Sequence, residues 1–171
     1  MVVDCYADTD FAGLWGHENP QDLICSGSRT GFVVTISNLL LLWVSKIHTY
    51  IDLSTLYYEY VALSHSVRAL LPLKSLIKEV IDNLGIDSEK LKFVSRSTIY
   101  EDNNGSIVVE TSPRMVPTSN NSAVKYHWFR QHAGKEFVIR KIKSENKGAD
   151  IFTKGLKGQV FVRIRKLLCG W

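Results

Sequence analysis

Residues 31–44, GFVVTISNLLLLWV, decide the fold class. Two short apolar runs, Gly31–Ile36 and Leu39–Val44, are separated only by Ser37-Asn38, and a two-residue polar break between such runs reads as a β-hairpin. Upstream, Val2–Ala7 is apolar with one Asp and reads as a strand running into the acidic turn Asp8-Thr9-Asp10. Together with the hairpin it suggests an antiparallel meander. The Gly-, Pro-, Asn- and Ser-rich stretch from Gly13 to Ser28 is a loop between them.

Downstream the period changes from two to three and four. After Ser54 or Thr55 as N-cap, Tyr57, Tyr60, Val61, Ser64, Val67, Arg68 and Leu71 recur at helical steps. Pro72 is expected to kink or interrupt this helix, with Leu73, Leu76, Ile77, Val80, Ile81 and Leu84 resuming the stripe until Gly85. A strand near Ser97–Tyr100 follows, then the turn Glu101 to Gly105 and a short helix ended by Pro113. The loop Pro113–Ser122, a helix over Ala123–His132, a strand over Glu136–Ile142 and a broken helix over Ala149–Cys169 complete the chain. The order β-β-β-α-β-α-α-β-α indicates an α/β domain with a mixed sheet and excludes a regular βαβ series.

With 171 residues, 45% apolar and 22% charged, the chain suits one globular domain and excludes wholesale disorder. Cys5, Cys25 and Cys169 make neither a disulfide framework nor a zinc pattern, which points to a reducing, intracellular, cytoplasmic setting. The longest apolar run, Leu39–Val44, is too short to span a membrane, and the N-terminus lacks the features of a secretory signal. Residues 123–171 hold 12 Lys+Arg against 3 Asp+Glu, whereas the first 122 hold 9 against 14. A basic third of this kind suits either nucleic acid or a solvated face.

Four carboxylates stand where an apolar run ends or a helix opens: Asp8, Glu59, Asp102 and Asp150. Rigid element ends aim side chains into one cleft, and carboxylates gathered there repel unless a cation joins them. Hard oxygen donors suit Mg²⁺ or Mn²⁺, and two such ions clamp the attacking and leaving oxygens of a phosphoryl displacement. Helix capping and turn chemistry account for the same residues without a site, so position alone leaves both readings open.

The segments CYADTDFAG, SRTGFVVTI, WVSK, LSTLYYEYVALS, IYEDNNGSI, KYHWFR and ADIFTKGL occur in the order seen in the ribonuclease H domain of copia-type LTR retrotransposon Pol polyproteins, and the chain resembles that family from end to end, through RIRKLLCGW. The resemblance implies a ribonuclease H-like fold: a five-stranded mixed sheet, three antiparallel strands and then parallel ones, flanked by helices. It implies one domain over residues 1–171, a fragment of a longer polyprotein, whose activity is metal-dependent endonucleolytic hydrolysis of the RNA strand of RNA–DNA hybrids during reverse transcription. The expected cofactor is Mg²⁺, two ions held by Asp8, Glu59, Asp102 and Asp150, with Mn²⁺ able to substitute and no small-molecule cofactor. Asp8 would bridge both ions, Glu59 and Asp102 would hold one, and Asp150 the other. The expected partners are the hybrid and the reverse transcriptase segment of the same polyprotein, without a membrane; an active element would carry the domain in a virus-like particle. The alternative is a degenerate, inactive remnant that folds and still binds nucleic acid.

Departures from the family pattern favour that alternative. Tyr57 and Tyr58 stand where the family has Glu and Ala, and Thr118–Ser122 lacks two basic residues and a histidine of the family. Asn103, Lys125, Arg130, Arg140, Lys141 and Lys143 are the expected nucleic-acid contacts, through backbone and 2′-hydroxyl groups. Asp10 is a weaker candidate on the strand face of Asp8. Glu101 is expected to point to the opposite face, into solvent. Trp43, Tyr126, Trp128 and Phe129 are expected in the core, and the five histidines in structural or exposed positions.

Overall fold

The computed structural model describes residues 1–11, 13, 27–48, 55–87, 90–91, 96–103 and 128–170. Its sheet has five strands in the order β3-β2-β1-β4-β5: β1 Val3–Asp10, β2 Arg29–Ile36, β3 Leu39–Ile47, β4 Ser97–Glu101 and β5 Phe137–Lys141. The β1–β2 and β2–β3 pairs are antiparallel, and β4 runs parallel to both β1 and β5. This is the expected five-stranded mixed sheet. The hairpin closes as the sequence predicts, with Ile36 paired to Leu39 and both loop residues at positive φ, 48° for Ser37 and 67° for Asn38. Strand β1 runs on through Asp8 to Asp10, so the expected acidic turn is strand.

Both faces of the sheet are covered, which is why β2 reads as a continuous apolar run without alternation. On one face Val3, Cys5, Ala7, Phe32, Val34 and Ile99 pack against Tyr60, Leu63, Val67 and Leu70 of the helix α1, Thr55–Asn83. On the other, Val33 meets Ile164 and Leu168 of the C-terminal helix α2, Gly158–Cys169, with Tyr6 and Phe152 at the margin. Residues of β1 thus alternate between two interiors, and Asp8 follows Asp4 and Tyr6 on the face toward α2.

Helix α1 continues through Pro72 without the expected interruption. Pro72 and Arg68, whose carbonyl loses its amide partner, are both exposed, so water can satisfy that carbonyl. The second apolar stripe is only partly buried: Ile81 is buried, Leu73 and Ile77 pack half-buried against the core, and Leu76, Val80 and Leu84 are exposed. A 29-residue helix is about 43 Å long and an eight-residue strand about 26 Å, so the end of α1 overhangs the sheet. Trp43 is 56% exposed rather than in the core, because β3 is the edge strand; Phe129 is buried as expected.

The predicted break in the C-terminal helix is real. Short 3-10 turns at Ser144–Asn146 and Gly148–Phe152 precede α2. Residues 128–132 close the expected helix over Ala123–His132. The rest of that helix with Lys125 and Tyr126, the helix before Pro113, the loop Pro113–Ser122, and Cys25, His17 and His127 lie outside the described residues. Cys5 is buried and Cys169 exposed, both as free thiols. No helix among the described residues is long and apolar enough to cross a membrane.

Candidate active site

Strand register sets the site. Tyr6 of β1 pairs with Tyr100 of β4, and their rings stack at 4.8 Å. Two residues further along these parallel strands, Asp8 and Asp102 therefore stand next to each other at the carboxyl ends, on the face toward α2. The 3-10 turn Gly148–Phe152 crosses β2 here, and Gly31, the partner of Asp8, permits the approach. A Cβ at Gly31 would lie 2.6 Å from Thr153 Cγ2 and 3.0 Å from Phe152 Cβ. That docking carries Lys147, Asp150, Thr153 and Lys154 to the strand ends.

Lys147 lies at the centre, and its side chain is completely buried. Its Nζ is 2.8 Å from Asp8 Oδ1, 2.7 Å from Glu101 Oε1 and 2.5 Å from Asp102 Oδ1. The Thr153 hydroxyl donates to Asp8 Oδ2, and Lys154 Nζ joins Asp8 Oδ2 at 3.2 Å to Asp150 Oδ1 at 3.4 Å. Ser144 Oγ donates to Asp102 Oδ2 at 2.7 Å. Glu59, in the first turns of α1, accepts from Asn103 Nδ2 at 3.5 Å, and its Oε2 is buried with no hydrogen-bond partner among the described residues. The structure thus gathers Asp8, Asp102 and Asp150 on two lysines, with Glu59 linked through Asn103.

Glu101 is a correction. It does lie on the face opposite Asp102, but α1 covers that face, and Glu101 is buried instead of solvated. Its Oε1 accepts the backbone N–H groups of Asp102 and Asn103, at 2.9 and 3.2 Å, besides Lys147.

The electrostatics follow from burial and from Lys147. Burial pushes the Glu59 carboxyl up to about 7 and that of Glu101 up to about 8, against the opposing pull of Lys147 on each. Burial also acts upward on Asp102, but the Lys147 and Ser144 bonds outweigh it and hold the carboxyl at about 2. Burial raises Asp150 as well, reinforced by Asp8. Burial alone would lower Lys147, yet Glu101 and Asp8 hold it above its ordinary value. Glu101 and Lys147 share a bond and both titrate upward; three carboxylates face the lysine, so it stays an ammonium, and Glu101 bears the residual desolvation.

These donors fit Mg²⁺ in chemistry and not in placement. The oxygens are hard carboxylates, as such an ion prefers. Among the described residues, however, no three His, Cys, Asp or Glu side chains converge on one metal-sized point, and the point shared by Asp8 and Asp102 holds an ammonium.

Of the expected nucleic-acid contacts, Arg140, Lys141 and Lys143 are exposed, Arg130 is half-buried and Asn103 faces Glu59; Lys125 lies outside the described residues. Ser144 on Asp102 puts Lys143 one residue from the carboxylates. Asp10 is half-buried at the end of β1, and burial raises its carboxyl. The bulky Tyr58 is fully accommodated, edge-on to Phe11 and His48. His48 also bonds Thr30, and His132 bonds the Trp128 carbonyl, as structural histidines do. Sequence reasoning passed over Lys147, Thr153 and Lys154. The available signal covered Lys154 alone, four residues after Asp150 and paired with it; the partners of Lys147 are distant in the chain.

The chain matches no protein-family model. Over 168 residues, 98% of its length, it is 26% identical to a retrovirus-related Pol polyprotein from transposon TNT 1-94 of Nicotiana tabacum, of which it spans 11%. Among solved structures it is similar to LC11-RNase H1, isolated from compost by a metagenomic approach, with a TM-score of 0.54 and 16% identity over 89% of this chain and 92% of that one. LC11-RNase H1 in complex with an RNA/DNA hybrid superposes with a TM-score of 0.51, at 16% identity over 88% and 93% of the two chains. At these identities the structural likeness is one of fold. Sequence and topology agree: the chain has the ribonuclease H-like fold and is similar along nearly its whole length to part of a retrotransposon Pol polyprotein.

Proposed function

We propose that this domain acts on RNA–DNA hybrids as a ribonuclease H-type hydrolase that cuts the RNA strand. The observation that carries the reading is the juxtaposition of Asp8 and Asp102 at adjacent parallel strand ends, with Asp150 and Glu59 gathered around them. The hybrid-bound neighbour supports the substrate class. The Pol relative supports a role in reverse transcription, beside the reverse transcriptase segment of a longer copia-type polyprotein. Exposed Arg140, Lys141 and Lys143 lead the hybrid backbone toward the carboxylates. Hydrolysis would draw on Mg²⁺, with Mn²⁺ as substitute, taken up by the same carboxylates. The test is cleavage of a labelled RNA–DNA hybrid in Mg²⁺ and in Mn²⁺, beside Asp8→Asn and Asp102→Asn. Cleavage by the wild type, abolished by either substitution, is the expected result; a folded wild type inert in both metals sinks the reading.

One observation favours a second reading. With Lys147 among the carboxylates, the domain would bind hybrid without cutting it. Hybrid binding in EDTA together with no cleavage in either metal is its signature.

A further inference from the structure

We propose that Lys147 is a built-in counter-cation that occupies the ion position between Asp8 and Asp102, so that a divalent ion binds only by expelling it. The inference rests on reading these carboxylates as an ion site. An ammonium has three N–H donors and no acceptor, and Lys147 Nζ meets three carboxylate oxygens, from Asp8, Glu101 and Asp102, at 2.8, 2.7 and 2.5 Å. Its donors are therefore saturated, and no water is needed to complete its shell. A Mg²⁺ ion must lie about 2.1 Å from the same oxygens, so ion and ammonium compete for one volume. The lysine is tethered, which gives it a high effective concentration at the site whatever the ion concentration outside. Its backbone supports displacement: Lys147 is an extended residue (φ −76°, ψ 98°) joining two separate 3-10 turns, not part of a continuous helix.

The remaining carboxylates are also committed in a way that leaves Lys147 decisive. Asp150 Oδ1 faces Lys154, which is only partly buried and can swing out. Glu59 Oε2 is buried without a hydrogen-bond partner among the described residues. An ion that replaced the Lys147 ammonium would reach Asp8 and Asp102 and bring a positive charge toward that oxygen.

The experiment is a Mn²⁺ titration of the full chain, followed by electron paramagnetic resonance, for wild type, Lys147→Gln and the control Lys78→Gln, exposed on α1. Lys147→Gln is expected to bind Mn²⁺ at least about tenfold more tightly than the other two. Equal affinities in folded proteins, or no binding by any of them, overturn the proposal. Because Lys147→Gln leaves buried carboxylates uncompensated and can fail to fold, the wild type is also followed by lysine ¹⁵Nζ NMR. A slowly exchanging Lys147 ammonium signal that is lost on Mg²⁺ saturation supports displacement; a protected signal that persists at saturation overturns it. Hybrid cleavage measured in parallel separates the two claims. Tighter ion binding by Lys147→Gln without cleavage by any variant refutes the ribonuclease reading alone, whereas cleavage with equal affinities refutes the counter-cation alone.

Discussion

Two side chains of the site, Lys147 and Glu59, differ in how their burial is compensated. Three carboxylates answer the Lys147 charge, whereas one oxygen of Glu59 is buried without a hydrogen-bond partner among the described residues. The Glu59 carboxyl titrates near 7 in the folded chain against an ordinary value of 4.5, mainly through burial. The folded state thus holds the proton more tightly than the unfolded state, and stability falls as pH rises from about 4.5 to about 7. Glu59→Gln is expected to reduce that loss by on the order of 2 kcal/mol, read from urea unfolding at pH 4.5 and 8 in EDTA. An unchanged pH dependence would remove Glu59 from this account. At this scale the acids were legible, because each ends an apolar run or opens a helix. Lys147 was not, because its partners Glu101 and Asp102 lie 46 and 45 positions away and only the fold brings them together.

Among elements, the decisive contact is the 3-10 turn Gly148–Phe152 on β2. The sequence indicated a broken C-terminal helix but not where its first piece would dock. Gly31 shows why: in the chain it opens an apolar run, yet its missing side chain is what lets Thr153 reach Asp8. Gly31→Ala is expected to destabilise the domain by about 1–3 kcal/mol, since Thr153 and the Phe152 backbone must move together. Urea denaturation reads this directly, and a wild-type midpoint would mean the turn does not dock that closely. Glu101 makes the complementary point. Strand alternation assigned its face correctly, but alternation does not say whether a face is covered by a helix or by water.

For the whole molecule, charge segregation is the property that governs encounter with a nucleic acid. The basic surplus of residues 123–171 includes exposed Arg140, Lys141 and Lys143 at and just beyond the end of β5, beside the acidic strand ends. Replacing all three with Ala is expected to reduce the magnitude of the slope of log affinity against log salt for an RNA–DNA hybrid by about 3, with the assay in EDTA to exclude cleavage. An unchanged slope would take these residues off the phosphate path. The overhanging end of α1, with Leu76, Val80 and Leu84 exposed, was not foreseen, because helical periodicity marks an apolar face without showing how far the sheet extends beneath it.

The strands, the hairpin turn and the long helix were legible in the chain, because each is written in a local period of two or 3.6 or in a two-residue turn. The parallel run of β4 beside β1 agrees with what the family resemblance implied, whereas only the packed chain shows that Glu101 is buried under α1 and that Lys147 lies between Asp8 and Asp102. Those outcomes depend on which strand ends meet and what covers them. A buried ammonium is held by the sum of charges that converge on it from distant segments, and no local pattern in the chain encodes that sum.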